Sequence, residues 1–293
     1  YIAMKARTRF APSPTGYIHV GNVRSALYPY LIAKQTGGDF ILRIEDTDRA
    51  RFVEGAEDLI LDTLKWLGLD WNEGPVYGDK TKEMGDFGPY HQTARREKYL
   101  DWAKKMIEKG LAYADPYSPE EVEEFRKKAK LEKRAFLYRD HRPENPPEWK
   151  IGMPLRFKTP EIKRYNWHDA VMGDLSAGPE ALDDFILIKA DGLPTYNFAH
   201  IVDDFEMKVT HVIRGSEYVA STPKYLSLYE ALGIRPPILA HLPHILAPEG
   251  NKKLGKRDGA KSVSEYRADG ILPEAMLNFL AQLGWNDGTE QDI

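Results

Sequence analysis

Two β-loop-α units stand back to back at the head of this chain, and they limit its fold more than any other feature. Arg7 to Ala11 is a short strand candidate that runs into Pro12-Ser13-Pro14-Thr15-Gly16. Each proline lacks an N–H and fixes φ, so the strand ends there and no helix begins until both are passed. A helix is expected from about Val20 to Gln35, closed by Gly37-Gly38, because glycine takes the left-handed conformation that ends helices without a steric penalty. Phe40-Ile41-Leu42-Arg43-Ile44 is mostly apolar, as a parallel strand covered on both faces requires. Val53, Ala56, Ile60, Leu64 and Leu67 then recur at helical spacing and stop at Gly68. This order predicts an α/β fold with a doubly wound parallel sheet.

Between about Lys82 and Asp191 the pattern changes. A helix is expected from Arg95 to Lys109, ending at Gly110. A second begins at Ser118, with Pro119 in its first position and Glu121 placed to complete a capping box. Pro143 to Pro147 reads as a loop, and Leu155–Phe157 and Phe185–Ile188 as short strands. The block reads as an inserted α+β domain. Val209 to Arg214 resumes the strand pattern, and Thr222-Pro223 starts a helix that ends near Gly233. The tail has a loop from Pro248 to Ala260 and helices near Ser264–Asp269 and Pro273–Leu283.

Composition narrows the class. The chain has 293 residues, 42% hydrophobic and 29% charged, which suits a globular protein of two domains rather than a disordered one. No apolar run approaches the roughly 18 residues of a membrane span, and the first residues lack the regions of a signal peptide. Met4 reads as the native start, with Tyr1–Ala3 as added residues. The absence of cysteine excludes disulfides, thiolate zinc sites and a cysteine nucleophile, and suits a reducing, cytoplasmic setting. With a net charge of −4, nucleic-acid binding would rest on local patches. Two exist, from Arg126 to Arg134 and from Lys252 to Lys261; the first also reads as a solvated helix face.

His19-Val20-Gly21-Asn22 sits where the first loop feeds a helix. Helix N-termini offer unpaired N–H groups and a positive dipole end to phosphate. Gly21 permits close backbone approach, and His19 can donate to a phosphate oxygen whose charge grows during reaction. Alone, the motif is weak and is better read as a surface histidine beside a glycine turn. Far downstream, Lys253-Leu254-Gly255-Lys256-Arg257 could close over a triphosphate or be a solvated lysine run.

Together the pair resembles the two signatures of class I aminoacyl-tRNA synthetases, which share a Rossmann-type fold and hold ATP between them. Five further blocks resemble the glutamyl branch: Arg9 to Gly16, Leu42 to Arg49, Gly192 to Ala199, Val202-Asp203-Asp204 and Val212 to Gly215. The resemblance covers nearly the whole chain in order. It implies ATP-dependent activation of L-glutamate to glutamyl-adenylate, with Mg²⁺, and transfer to tRNA-Glu. Arg9, Tyr196 and Arg214 would hold the side-chain carboxylate, which suits the arginine fork. Glu45 would receive the α-ammonium, with Ser13 beside the amino acid. ATP would lie against Ala11, His19, Gly21, Asn22, Glu217, Ile245 and the loop Lys253, Leu254, Gly255, Lys256 and Arg257. His19, Gly21, Lys253 and Lys256 would be catalytic, Lys256 stabilising the phosphorus transition state.

The resemblance also implies a discontinuous Rossmann-type domain over 1–82 and 192–241, an acceptor-end domain over 83–191, and a helical stem-contacting start over 242–293. A helical anticodon-reading domain usually follows; the chain is read as truncated before it. Monomer is the family default. Several positions depart from the pattern. Asn22 replaces the usual histidine, Gly255 replaces serine, and the zinc-binding cysteines of some relatives are missing, so no structural zinc is expected. His200 stands where some relatives carry asparagine near the substrate; a plain core histidine is the favoured reading. Arg43 and Asp46–Arg49 fit a structural ion-pair network and are left out of the core site. Two rival readings are a glutamyl-queuosine tRNA-Asp synthetase, naturally short, and a non-catalytic synthetase-like module.

Overall fold

The computed structural model describes residues 4–246 and 261–285. Strand β1 (Arg7–Phe10) lies parallel to β2 (Asp39–Leu42), with Thr8 opposite Phe40, and helix α1 (Val20–Thr36) crosses between them. Gly37 closes α1 in the left-handed conformation, φ 63°. Helix α2 (Ala56–Trp66) buries Ile60, Leu61 and Leu64 against the same core, as the helical spacing of those residues demands. A hairpin, β3 (Gly74–Val76) and β4 (Asp79–Met84), follows.

Helix α3 (Arg96–Glu108), strand β5 (Ala112–Ala114) and helix α4 (Pro119–Leu131) come next. The capping box at Ser118 forms: its hydroxyl accepts from the Glu121 amide, and Glu121 accepts from the Ser118 amide. Strand β5 pairs antiparallel with β6 (Leu155–Phe157), which pairs with β9 (Ile186–Ile188). Between these last two lies a hairpin that sequence periodicity did not suggest, β7 (Tyr165–Asp169) and β8 (Gly173–Ala177). Its residues are largely polar and half-exposed, so no apolar run marks it.

Helix α5 (Tyr196–Glu206), strand β10 (His211–Gly215), helix α6 (Thr222–Leu232) and strand β11 (Ile238–Leu242) complete the sheet region. Strands β10 and β11 are parallel, and β11 takes the β7–β8 hairpin on its far side through Leu239 opposite Asp169. Strand β1 lies beside the start of β10, where the Thr210 amide donates to the Arg7 carbonyl at 2.9 Å. The order across the layer is therefore β2, β1, β10, β11, β7, β8. Chain order reverses between β1 and β10, and in open α/β sheets ligands bind in the crevice at such a point, beyond the carboxyl ends of the strands. Among the described residues, two helices follow Lys261: α7 (Val263–Ala268) and α8 (Pro273–Gln282). Met276 and Leu280 of α8 pack into the α1–α2 core, and the Tyr28 hydroxyl of α1 donates to the Ala281 carbonyl at 2.8 Å.

Candidate functional site

Arg9 leaves the carboxyl end of β1 and Arg214 that of β10, so adjacent strands deliver two guanidinium groups to the reversal crevice. Glu45 follows β2 by three residues, and Tyr196 opens α5. Arg9, Ser13, Glu45, Tyr196 and Arg214 all line one cavity of about 310 Å³, near the lower end of small-ligand sites. All five residues expected at the amino acid are thus brought together. Ala11, expected against ATP, lines this cavity too.

A second cavity adjoins it, sharing Asn22, Ser25, Gly215 and Glu217, and adds His19, Gly21 and Ile245. His19 is the N-cap of α1: its Nδ1 accepts from the Gly21 amide at 3.1 Å, and Asn22 Oδ1 accepts from the His19 amide at 3.1 Å. In the neutral ring an accepting Nδ1 leaves the proton on Nε2. A Cβ at position 21 would meet His19 Cε1 at 2.9 Å, so a side chain there would push the capping ring aside. Asn22, the departure from the usual histidine, closes the capping box. Lys253, Leu254, Gly255, Lys256 and Arg257 lie outside the described residues. On either side of them, Ile245 lines the His19 cavity and Ser262 forms a β-bridge with His19 itself.

The buried charges behind the cavity form one network. Arg9, 4% exposed, donates from Nε to Asp204 Oδ1 at 3.1 Å; Arg43 donates to the same oxygen at 2.8 Å and to Glu45 at 3.0 Å. Burial would raise the Asp204 carboxyl, but Arg9 and Arg43 overcome it and hold it near 2. Asp203, one residue earlier, accepts from Arg95, Tyr99 and Gln92. Arg43 thus sits inside a buried ion-pair network, one of the two readings that the sequence left open. Asp46 anchors the turn after His91 by accepting from the Thr93 amide at 2.8 Å, and Asp48 pairs with Arg51 at the surface. Glu45 differs from Asp204: burial, only partly offset by Arg43 and Arg9, pushes its carboxyl up to about 7.

Arg214 is also buried, 6% exposed, yet among the described residues its hydrogen-bond partners are neutral. Nε donates to His241 Nε2 at 3.1 Å, and Nη1 to the Tyr196 hydroxyl at 3.3 Å and His200 Nε2 at 3.4 Å. Its guanidinium also lies over the rings of Tyr218 and Tyr225. His200 is a buried histidine, 1% exposed, but its ring touches Arg214 as well. Its Nδ1–H goes to the Tyr196 carbonyl at 2.7 Å, and burial with the Arg214 charge pushes it down to about 3, so the ring is neutral.

Sequence reading missed Asp204, His241, Asp169 and Tyr218. The Asp203-Asp204 doublet was visible, and two acids directly after the apolar pair Ile201-Val202 in a helix are a signal of buried ion pairing. Nothing local marks the other three.

Comparison with known proteins gives the family. The family model for the catalytic domain of class I tRNA synthetases of the E and Q type covers residues 5–293. The chain belongs to this family. Within the class I synthetases, it is 51% identical to the glutamate–tRNA ligase of Clostridium botulinum strain Hall and 46% to that of Dehalococcoides mccartyi strain BAV1. The matches cover 99% and 98% of the chain, and 60% and 58% of those proteins. The chain therefore spans about three fifths of the length of the curated relatives it matches. Among solved structures, a glutamate tRNA ligase from Elizabethkingia meningosepticum in complex with its amino acid superposes with a TM-score of 0.87 at 40% identity, covering 99% of this chain and 63% of that one. The glutamate–tRNA synthetase of Elizabethkingia anophelis gives 0.88. As a class I synthetase catalytic unit, the chain has its Rossmann-like α/β fold confirmed by these neighbours. No helix among the described residues is long and apolar enough to cross a membrane.

Proposed function

We propose that this chain carries the catalytic part of a glutamate–tRNA ligase, which activates L-glutamate with ATP and passes it to the 3′ end of tRNA-Glu in the cytoplasm. One observation carries the reading: two buried guanidinium groups and one buried carboxyl converge on a single cavity, and Arg214 has only neutral hydrogen-bond partners among the described residues. Such a cavity suits a molecule with an anionic side chain and an ammonium group. Arg9, Tyr196 and Arg214 take the side-chain carboxylate, Glu45 the ammonium, and Ser13 lies alongside. The names of the relatives favour this over a queuosine-directed or non-catalytic reading.

ATP, entering as its Mg²⁺ complex, sits in the adjoining cavity against Ala11, His19, Gly21, Asn22, Glu217 and Ile245. An oxygen of the glutamate α-carboxylate attacks the α-phosphorus, the bond to the bridging oxygen breaks, and pyrophosphate leaves. A ribose hydroxyl at the tRNA end then attacks the acyl carbon, and AMP departs. No protein base is needed; position and charge do most of the work. Residues 83–191 are proposed to receive the acceptor end, apart from the β7–β8 hairpin that pairs with β11; 1–82 with 192–241 are proposed to be the catalytic domain, and 242–293 to begin the stem-contacting part, in a monomer. Lys253, Leu254, Gly255, Lys256 and Arg257 are proposed to close on the triphosphate, supported by the placement of Ile245 and Ser262 beside His19.

ATP–pyrophosphate exchange with glutamate and tRNA present tests the reading directly. Lys256→Ala is expected to lower that exchange about 10²–10³-fold, as loss of one transition-state donor does. An effect under threefold in folded protein would remove Lys256 from the reaction. Glu45 gives a pH prediction. The ammonium binds the carboxylate, and a carboxyl near 7 must lose its proton first. Glutamate affinity is therefore expected to be full above that pH and to fall up to about tenfold per unit below it. Calorimetry across that range checks this, and Glu45→Gln should give weak binding with the pH slope abolished.

A further inference from the structure

The pair behind Arg214 is an unexpected feature of the site. His241 and Asp169 are both fully buried. Asp169 ends β7, in the hairpin that comes from the inserted segment, and His241 lies on β11 beside it. Asp169 Oδ1 accepts from the backbone amides of Val171 and Met172 at 3.0 Å and of His241 at 3.1 Å; Oδ2 faces His241 Nδ1 at 2.5 Å. An ionised carboxylate only accepts, so Nδ1 must carry the proton. His241 Nε2 is then a lone pair, and Arg214 Nε donates to it at 3.1 Å. His200 repeats the arrangement: its Nδ1–H is tied to the Tyr196 carbonyl and its Nε2 faces Arg214.

A buried arginine could be fixed in place more simply by a carboxylate, as Arg9 is by Asp204. That would supply a protein anion to the guanidinium and reduce its need for one from the ligand. A neutral nitrogen acceptor fixes the fork and keeps the Asp169 carboxylate one imidazole away, so that no protein anion among the described residues is hydrogen-bonded to the guanidinium itself. We propose that Asp169 and His241 are specificity-determining positioning residues, holding Arg214 by a tautomer-locked neutral ring so that only an anionic side chain completes the site. The inference rests on the reading of this cavity as a glutamate site.

The test compares two non-hydrolysable adenylate sulfamates, glutamyl and glutaminyl, by calorimetry. Long-range ¹H–¹⁵N correlation of the histidine rings reads the tautomer, and thermal melts verify folding. Wild-type protein is expected to show the Nδ1–H form at His241 and to prefer the glutamyl compound. In Asp169→Asn the amide oxygen stays on the turn amides, so the NH₂ faces Nδ1 and drives the proton to Nε2, against Arg214. The preference should fall at least tenfold. Adding His241→Gln should restore it, because the glutamine amide can turn its oxygen to Arg214 whatever stands at 169. His241→Glu, which sets a carboxylate on Arg214 and leaves the turn untouched, should erase the preference. A flipped ring with unchanged preference overturns the proposal and leaves the glutamate reading standing, as does an unaffected His241→Glu. A loss in folded Asp169→Asn that His241→Gln does not restore overturns it as well. Wild-type protein with no preference overturns the glutamate reading itself.

Discussion

Asp204→Asn is expected to cost about 3–5 kcal/mol of folding stability, the usual effect of stripping the partner from a buried charge. Both Arg9 and Arg43 pair with Asp204 Oδ1 in an environment almost closed to water. Arg43 keeps Glu45 as a partner, but Asp204 is the carboxylate that Arg9 meets among the described residues. The variant therefore leaves a buried cation facing an amide and frees Arg9 to swing from the cavity. Urea titration of both proteins checks the magnitude, and a difference below about 1 kcal/mol would mean that solvent or another group compensates Arg9. The pH dependence has a definite sign. The Asp204 carboxyl falls from its usual 3.8 to about 2 on folding, because Arg9 and Arg43 overcome its burial. Its contribution is complete above 3.8 and is lost as pH drops through about 2. The variant should lose that component of the acid transition.

The second large effect belongs to Arg214. Arg214→Ala is expected to weaken glutamate binding by roughly 2–5 kcal/mol, as truncation of one member of a buried hydrogen-bonded charge pair does. At 1.4 kcal/mol per tenfold this is about thirtyfold to several thousandfold. Rejection of glutamine should weaken in the same variant, since glutamine is disfavoured by leaving this guanidinium without an anion. Lysine is a poor substitute. Its point charge cannot use the His241, Tyr196 and His200 acceptors as a planar fork does. Competition between glutamate and glutamine analogues measures both numbers. Unchanged discrimination in folded Arg214→Ala would take Arg214 out of the pocket.

Arg9 and Arg214, which line one cavity, were legible as candidate site residues only through family motifs; nothing in their local sequence distinguishes them from Arg43. Their neighbours explain the difference. Arg43 is enclosed by three carboxylates, Glu45, Asp203 and Asp204, and has no charge left for a ligand. Arg214 is enclosed by neutral acceptors. That contrast is invisible along the chain because Arg43 and Asp204 are 161 positions apart and Arg9 and Asp204 are 195 apart. His200 illustrates the same limit. Its burial was anticipated, but its contact with Arg214, fourteen positions on and in another element, is set by the tertiary fold.

What the sequence by itself determined is local. Proline and glycine placed the ends of β1 and α1, helical spacing placed α2, and Ser118 with Glu121 set the start of α4. Each of these depends on atoms within a few residues of one another, so a linear pattern contains the whole cause. Tertiary structure alone decided that the polar β7–β8 hairpin joins the sheet of β10 and β11, and that Asp169 thereby reaches His241 across 72 positions. Strand order and register control such meetings, and burial then makes each unpaired charge expensive. That Arg214 meets neutral acceptors and no carboxylate directly among the described residues is a property of the assembled sheet and of no segment within it.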